Sequence, residues 1–286
     1  MSAPGDGASD GTRVGADALM ALAALAARPA GALAERPGIA PTRKRGQGHE
    51  IREIRPFTEG DDPRHLDAAA TARSGSLQVR SFHEDRERTV LLVADFRRPM
   101  LWGTRRRLRS VAAAEALALA GWQAILGAGA AGVVALTDAG LIAERPRAGD
   151  AGMARVCGAL ASAHALALDT RAPVRDLAPD LVRAARFAPR GAGIVLATGL
   201  DAPGPGLDAA LAGLARRGPL RLILAEDAFE TAPPAAALPF VTPDGRVARA
   251  RFGTLPEARA ARVTALRLPG MTVERLATDR PLARAS

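Results

Sequence analysis

Three short runs limit what this chain can fold into: Thr89–Ala94 (TVLLVA), Gly193–Ala197 (GIVLA) and Leu220–Ala225 (LRLILA). They are rich in apolar, β-prone residues and too short for buried helices, which is the pattern of strands covered on both faces. Parallel strands of this kind need long crossovers. Leu108–Leu126, Asp150–Ala163, Leu177–Phe187 and Leu207–Arg216 supply them with apolar residues at helical spacing, and a last helix is predicted over Pro256–Leu266. Gly132–Thr137 reads as a strand that turns at Asp138-Ala139-Gly140 into a partner at Leu141–Glu144, and a hairpin over Pro239–Phe252 turns at Pro243-Asp244-Gly245. The alternation predicts an α/β sandwich with a mainly parallel central sheet and a small β-hairpin.

Composition removes several classes. The 286 residues suffice for one large or two small domains, and with 48% hydrophobic and 24% charged residues the chain is not disordered as a whole. The net charge of +9 rests on arginine, since Lys44 is the only lysine. A GC-rich genome produces the same bias, so basicity alone does not indicate nucleic acid. The single cysteine, Cys157, excludes an intramolecular disulfide and a multi-cysteine zinc site, and its apolar neighbours make it a buried, inert thiol. The opening residues carry no basic region followed by an apolar run, so no secretory signal is expected. The Ala-rich stretch Val111–Gly132 is broken by Glu115, Gln123 and glycines, short of the ~18 apolar residues of a membrane span. A cytoplasmic protein without a membrane span is expected.

Composition also shifts along the chain. Residues 1–36 read as a disordered lead containing a short amphipathic helix, Ala16–Ala27, stopped by Pro29. Residues 37–88 are dense in charge and turn formers, with single apolar anchors such as Ile51, Phe57, Leu66 and Val79, as expected of an extended segment. The regular alternation occupies residues 89–286.

In open α/β sheets ligands bind beyond the carboxyl ends of the strands. That rule points to the loops Asp95–Gly103, Thr198–Gly206 and Glu226–Pro234, with Asp95 as the leading candidate for a ligand-binding carboxylate and a turn-capping role as its alternative. There is no phosphate-binding P-loop, no Gly-rich dinucleotide fingerprint, no G-x-S-x-G elbow and no H-E-x-x-H. Histidines 49, 65, 83 and 164 lack ligand spacing. Asp61-Asp62, between Gly60 and Pro63, reads as a turn pairing with Arg64 or Arg73. Arg105, Arg106, Arg107 and Arg109, with Arg97 and Arg98 nearby, form a diffuse basic patch that faces solvent or an acidic partner. With aromatics at 3%, stacking platforms are scarce and nucleic-acid binding is disfavoured.

The N-terminal segment carries a resemblance. Arg45-Gly46-Gln47-Gly48-His49-Glu50 is followed by Ile54-Arg55-Pro56-Phe57 and Gly60-Asp61-Asp62-Pro63-Arg64-His65-Leu66-Asp67. Thr71-Ala72-Arg73-Ser74-Gly75 and Val79-Arg80-Ser81-Phe82 come next, with Glu84 and Arg86 just before the first apolar strand. This order of spaced glycines, acids and arginines resembles the domain-of-unknown-function family number 58 (DUF58), closely over Arg45–Gly103 and loosely to the C-terminus. The resemblance implies a von Willebrand factor A-like, Rossmann-like sandwich with an N-terminal extended signature segment. It also implies a partnership with MoxR-type AAA+ ATPases in assembling or activating a client protein, in a family for which no enzymatic activity is established. Its signature residues here are Glu50, Arg55, Gly60, Asp61, Asp62, Arg64, Asp67, Arg73, Arg80, Glu84 and Arg86. Gly60 allows a backbone closed to other residues, and the acids and arginines lock the segment by charge-assisted hydrogen bonds.

Many relatives end the first strand in a metal-ion-dependent adhesion motif, D-x-S-x-S, which holds magnesium. Here Asp95 is kept, but Arg97 and Pro99 stand at the serine positions, and Ala197-Thr198-Gly199 replaces a Ser-Asp pair with Asp201 displaced. Magnesium wants several oxygen ligands in near-octahedral order. The expectation is a degraded site around Asp95, Arg97, Pro99 and Thr198, without metal or cofactor, in which Arg97 either fills the vacated volume against Asp95 or points to water. The leading functional expectation is a non-enzymatic interaction module. The alternatives are a metal-dependent hydrolase or binder using Asp95 with Asp61, Asp62 or Asp201, and nucleic-acid binding through Arg97–Arg109.

Overall fold

The structure, a computed structural model, describes residues 11–27, 46–58, 66–82, 89–242, 245–266 and 268–282. The chain divides into two units, Met1–Ala30 with Thr89–Ser286, and Gly31–Arg88. The N-terminal helical region therefore belongs with the α/β unit. It forms two short helices, α1 (Ala16–Ala21) and α2 (Ala23–Ala27), whose Leu19 and Ala26 are buried, and Trp122 Nε1 donates to the Leu19 carbonyl at 3.1 Å. Gly11 is also placed, its carbonyl accepting from Leu108 N–H at 2.8 Å, so the disorder expected of the lead does not extend over Gly11. Residues 1–10 and 28–36 lie outside the described residues.

The smaller unit contains β1 (Gly46–Pro56), α3 (Ala68–Ser74) and β2 (Gln78–Phe82), with β1 and β2 antiparallel. Asp67 caps α3, accepting from Ala70 N–H at 2.8 Å, and Gly75 ends it at φ +70°, a left-handed conformation that glycine adopts without steric cost. Asp67 thus serves as a helix cap, while Arg73 is exposed. Of the other signature residues, Glu50 and Arg55 lie on β1 and Arg80 on β2. Gly60, Asp61, Asp62, Arg64, Glu84 and Arg86 lie outside the described residues.

The larger unit continues in chain order with β3 (Val90–Asp95), α4 (Arg109–Leu126), β4 (Ala130–Thr137), β5 (Gly140–Ala148), α5 (Gly149–Asp169) and α6 (Leu177–Ala184). Then come β6 (Gly193–Thr198), α7 (Leu207–Ala215), β7 (Leu220–Glu226), α8 (Ala228–Thr231), β8 (Leu238–Val241), β9 (Val247–Ala250), α9 (Leu255–Ala265) and β10 (Met271–Ala277). Six strands form one sheet in the order β10-β7-β6-β3-β4-β5, parallel except for the edge strand β5, while β8 and β9 make a separate hairpin. The fully buried β3 lies near the middle, as its unbroken apolar run predicts. β10 is an unpredicted sixth strand: its residues are at most half-buried, so MTVERLA shows no continuous apolar run.

Side chains alternate across the sheet into two cores. Leu92 and Ala94 pack with α4 and α5 on one face, and Leu91 and Val93 with α6 and α7 on the other. Each large apolar side chain so buried contributes roughly 1.5–3 kcal/mol. Among the described residues, α5 alone is long and apolar enough to cross a membrane. Its Met153, Val156, Cys157 and Leu160 are buried in the first core, which makes it a core helix. Burial also pushes the Cys157 thiol up to about 12, which keeps it protonated.

Because α4 follows β3 on one face and α7 follows β6 on the other, the loops after these neighbouring strands diverge. This is the topological switch point of a doubly wound sheet, where a crevice opens.

Candidate functional site

The crevice is filled by an arginine. Asp95 ends β3 with 1% exposure, and Arg97, two residues on, turns inward and is fully buried. Its guanidinium forms a fork on Asp95, Nε to Oδ1 at 2.9 Å and Nη2 to Oδ2 at 2.8 Å. Nη2 also donates to the Asp201 carbonyl at 2.9 Å, and Nη1 to the carbonyls of Arg175 at 2.6 Å and Ala202 at 3.1 Å. A guanidinium has five N–H groups, and here all five are used. Asp95 is equally occupied: Oδ1 accepts Arg97 N–H at 3.2 Å and Oδ2 accepts Thr198 Oγ1 at 2.7 Å. Burial alone would pull the Arg97 guanidinium down. The charge and hydrogen bonds of Asp95, with Asp138 and Asp180 behind, hold it above its ordinary value and keep it charged.

The loop after β6 is shaped for this. Leu200 and Ala202 have φ +59° and +43°, sparsely populated for non-glycine residues and costing of order 1 kcal/mol each. Thr198 Oγ1 accepts Leu200 N–H at 3.0 Å and so ties the loop back to Asp95. Asp138, in the turn after β4, braces the other side by accepting the N–H groups of Arg98 at 2.7 Å and Arg175 at 2.9 Å.

This donor set does not suit a divalent cation. Both Asp95 oxygens are committed, a guanidinium lies on them, and Pro99 has no side-chain oxygen. Among the described residues no three His, Cys, Asp or Glu side chains converge as a metal would require. Asp201, proposed from sequence as a second carboxylate, turns its side chain away to Arg109. Asp61 and Asp62 lie outside the described residues.

Beside the crevice lies a cleft of about 360 Å³, bounded by the loops after β3, β6 and β7 and by α9. Arg109, 1% exposed at the start of α4, pairs with Glu230 at 2.9 Å and with Asp201, and lies over the Trp102 ring at 5.2 Å. Arg259 of α9 pairs with Glu230 at 2.6 Å and donates to the Gly199 carbonyl at 3.2 Å. Burial pushes the Glu230 carboxyl above the usual carboxylate range, against the pull of Arg109 and Arg259. Glu230 also accepts Asp227 N–H at 2.9 Å in the capping box of α8. Asp227 moves the other way: burial would raise it, but hydrogen bonds from Thr104, Phe229 N–H and Thr278 bring its carboxyl below the ordinary range.

The basic patch read from sequence does not form a surface. Arg97, Arg107 and Arg109 are buried, and Arg107 pairs with Glu115 and donates to the Arg280 carbonyl at 2.8 Å. Arg98, Arg105 and Arg106 alone of the six stay exposed. His164 is buried against Ser110 Oγ at 2.9 Å and edge-on to Phe96. The cleft residues Arg259 and Arg262 were not legible as site residues. Glu230 had a local signal in Asp227-x-x-Glu230, a capping-box spacing.

Fold and site define a doubly wound α/β protein whose switch-point crevice is closed by its own arginine. The chain belongs to the family described as "Protein of unknown function DUF58", whose profile matches residues 53–230, well over half of the sequence. The match takes in the first two site loops and the third as far as Glu230, and stops before the β8–β9 hairpin and α9. No curated protein matches the chain.

Proposed function

We propose that this chain is a non-enzymatic, cytoplasmic protein-interaction module of von Willebrand A-like type. In this reading it acts with a MoxR-type AAA+ ATPase or that ATPase's client, and Arg97 stands where relatives hold magnesium. One observation carries the reading: the five N–H groups of Arg97 take five acceptors around Asp95, which puts a permanent cation where the resemblance implies a metal adhesion motif. A saturated, dry ion pair offers no group to attack, protonate or activate a substrate. It does rigidify the loops that a docking face would use.

The test is co-purification of the tagged full chain with the MoxR-type ATPase under gentle lysis, with and without a chelator. Capture that survives chelation supports a metal-free docking module. Absence of the ATPase and of any client removes the functional half of the reading, and capture lost on chelation removes the role given to Arg97.

A further inference from the structure

The crevice is closed, but the cleft beside it is not balanced. Arg109, Arg259 and Arg262 line it against Asp201 and Glu230, three guanidinium groups facing two carboxylates. Arg262, exposed on α9, donates through Nη1 to the Leu200 carbonyl at 3.0 Å, and among the described residues no carboxylate pairs with it. The deeper arginines are also incompletely used: the buried Nε–H groups of Arg109 and Arg259 find no acceptor among the described residues. A buried, unused donor has a cost, so this network gains from one more acceptor.

The remaining walls are apolar and aromatic. Trp102, Phe229 and Phe252 are all half-buried, and Phe229 and Phe252 meet edge-on with centroids 5.2 Å apart. Phe252 meets Phe240 of β8 in the same way at 5.9 Å, and Phe240 is 37% exposed. The aromatic surface thus runs out of the cleft onto the hairpin, farther than a small molecule held in about 360 Å³ would reach. On the other face of the hairpin the cross-strand pair Val241 and Val247 is 67% and 77% exposed.

We infer that this cleft is the recognition site for an acidic peptide segment of a partner protein, placing one carboxylate at Arg262 and Arg259 and a neighbouring aromatic or aliphatic side chain against Trp102, Phe229 and Phe252. One surplus positive charge matches one carboxylate. A nucleic-acid strand would bring repeated negative charge past Asp201 and Glu230, which repel it. The inference rests on the docking reading above, since it names the chemistry of what docks.

The experiment uses the purified full chain, with no ATPase present. Binding is followed by fluorescence anisotropy for two labelled peptides in a Gly/Ser frame, one with a central Phe-Glu pair and one with Phe-Gln. The expected result is saturable binding of the Phe-Glu peptide, weaker by about tenfold or more for Phe-Gln. Arg262→Glu and Phe252→Ala should each lose that preference while the melting temperature of Arg262→Glu stays that of the parent. Equal binding of the two peptides, no binding of either, or an unaffected Arg262→Glu chain overturns the inference. So does tighter binding of a single-stranded oligonucleotide that displaces the peptide. Failure of ATPase capture leaves this result standing.

Discussion

The crevice and the cleft are neighbouring arginine–carboxylate sites at the carboxyl ends of the same strands, and they differ in how completely their hydrogen-bonding groups are used. In the crevice one guanidinium meets five acceptors and the carboxylate beneath it is saturated. In the cleft three guanidinium groups share two carboxylates, and two buried N–H groups find no acceptor among the described residues. One loop serves both. The carbonyls of Gly199 and Leu200 face Arg259 and Arg262 in the cleft, and those of Asp201 and Ala202 face Arg97 in the crevice. A buried ion pair with every donor matched fixes geometry, whereas one with a surplus is poised to accept a further group.

The largest effect that could break this contrast is on the crevice pair. Arg97→Ala leaves Asp95 buried without its counter-charge and strands three backbone carbonyls, and should cost about 3–5 kcal/mol in urea unfolding. Arg262→Ala, at an exposed position of the cleft, should stay within about 0.5 kcal/mol of the parent. If the two variants prove equally stable, the crevice is not the rigid half of the pair. Thr198→Val comes next. It removes the hydroxyl between Asp95 and Leu200 N–H while keeping its volume, and should cost about 2 kcal/mol. An Arg97→Ala, Thr198→Val double variant should cost less than the sum, because both residues hold the same carboxylate. Strict additivity would show that they act independently.

Much of this was legible in the sequence, and what was not has physical causes. The runs TVLLVA, GIVLA and LRLILA mark buried strands because strands covered on both faces have no polar alternation to hide them. From the strands follow the three loops, and the crevice lies between the first two. β10 was missed because an edge strand is half in water, and MTVERLA resembles a loop. The arginines were misread for a different reason. Arg107 and Arg109 look like a solvated run with Arg105 and Arg106, yet Arg109 finds Glu230 and Asp201 across the fold, at separations of 121 and 92 residues. Local sequence cannot show a carboxylate that topology delivers from so far away. The Asp95–Arg97 pair could be anticipated through the family resemblance, which implies a vacated metal position with Arg97 at a serine position, and the structure shows the pair formed.

Gly199 tests the hinge between the two sites. A Cβ there would overlap the Arg109 guanidinium and lie 2.6 Å from Asp201 Oδ2. The obstacle is the far end of the Arg109 side chain, which is buried and paired with Glu230 and has to shift. Gly199→Ala should therefore cost about 1–3 kcal/mol of stability. Its larger consequence is to separate Arg109 from Asp201 and change the charge balance of the cleft, while Arg97 keeps its acceptors. Binding of the Phe-Glu peptide should change, and double-mutant coupling between Asp95 and Arg97 should not. A loss of coupling in the crevice would show that the two sites behave as one network.

The smallest effect lies in the acid response of the α8 cap that carries Phe229 and Glu230 into the cleft, where Thr104 Oγ1 and N–H both donate to Asp227. Because the folded Asp227 carboxyl sits below its ordinary value, the unfolded chain binds the proton more readily. Its contribution to stability is then complete above pH ~4 and is lost as pH falls through the depressed folded value. Glu230 has the opposite sign: its raised folded value gives a contribution that is present below the ordinary carboxylate range and lost as pH rises through that raised value. Thr104→Val removes one donor from Asp227 and leaves Glu230 untouched, so the difference between parent and variant isolates Asp227. Unfolding measured between pH ~7 and ~3 should give curves that converge on the acid side, the variant losing less as Asp227 is protonated in both. Curves that stay parallel would mean that Thr104 does not set the Asp227 titration.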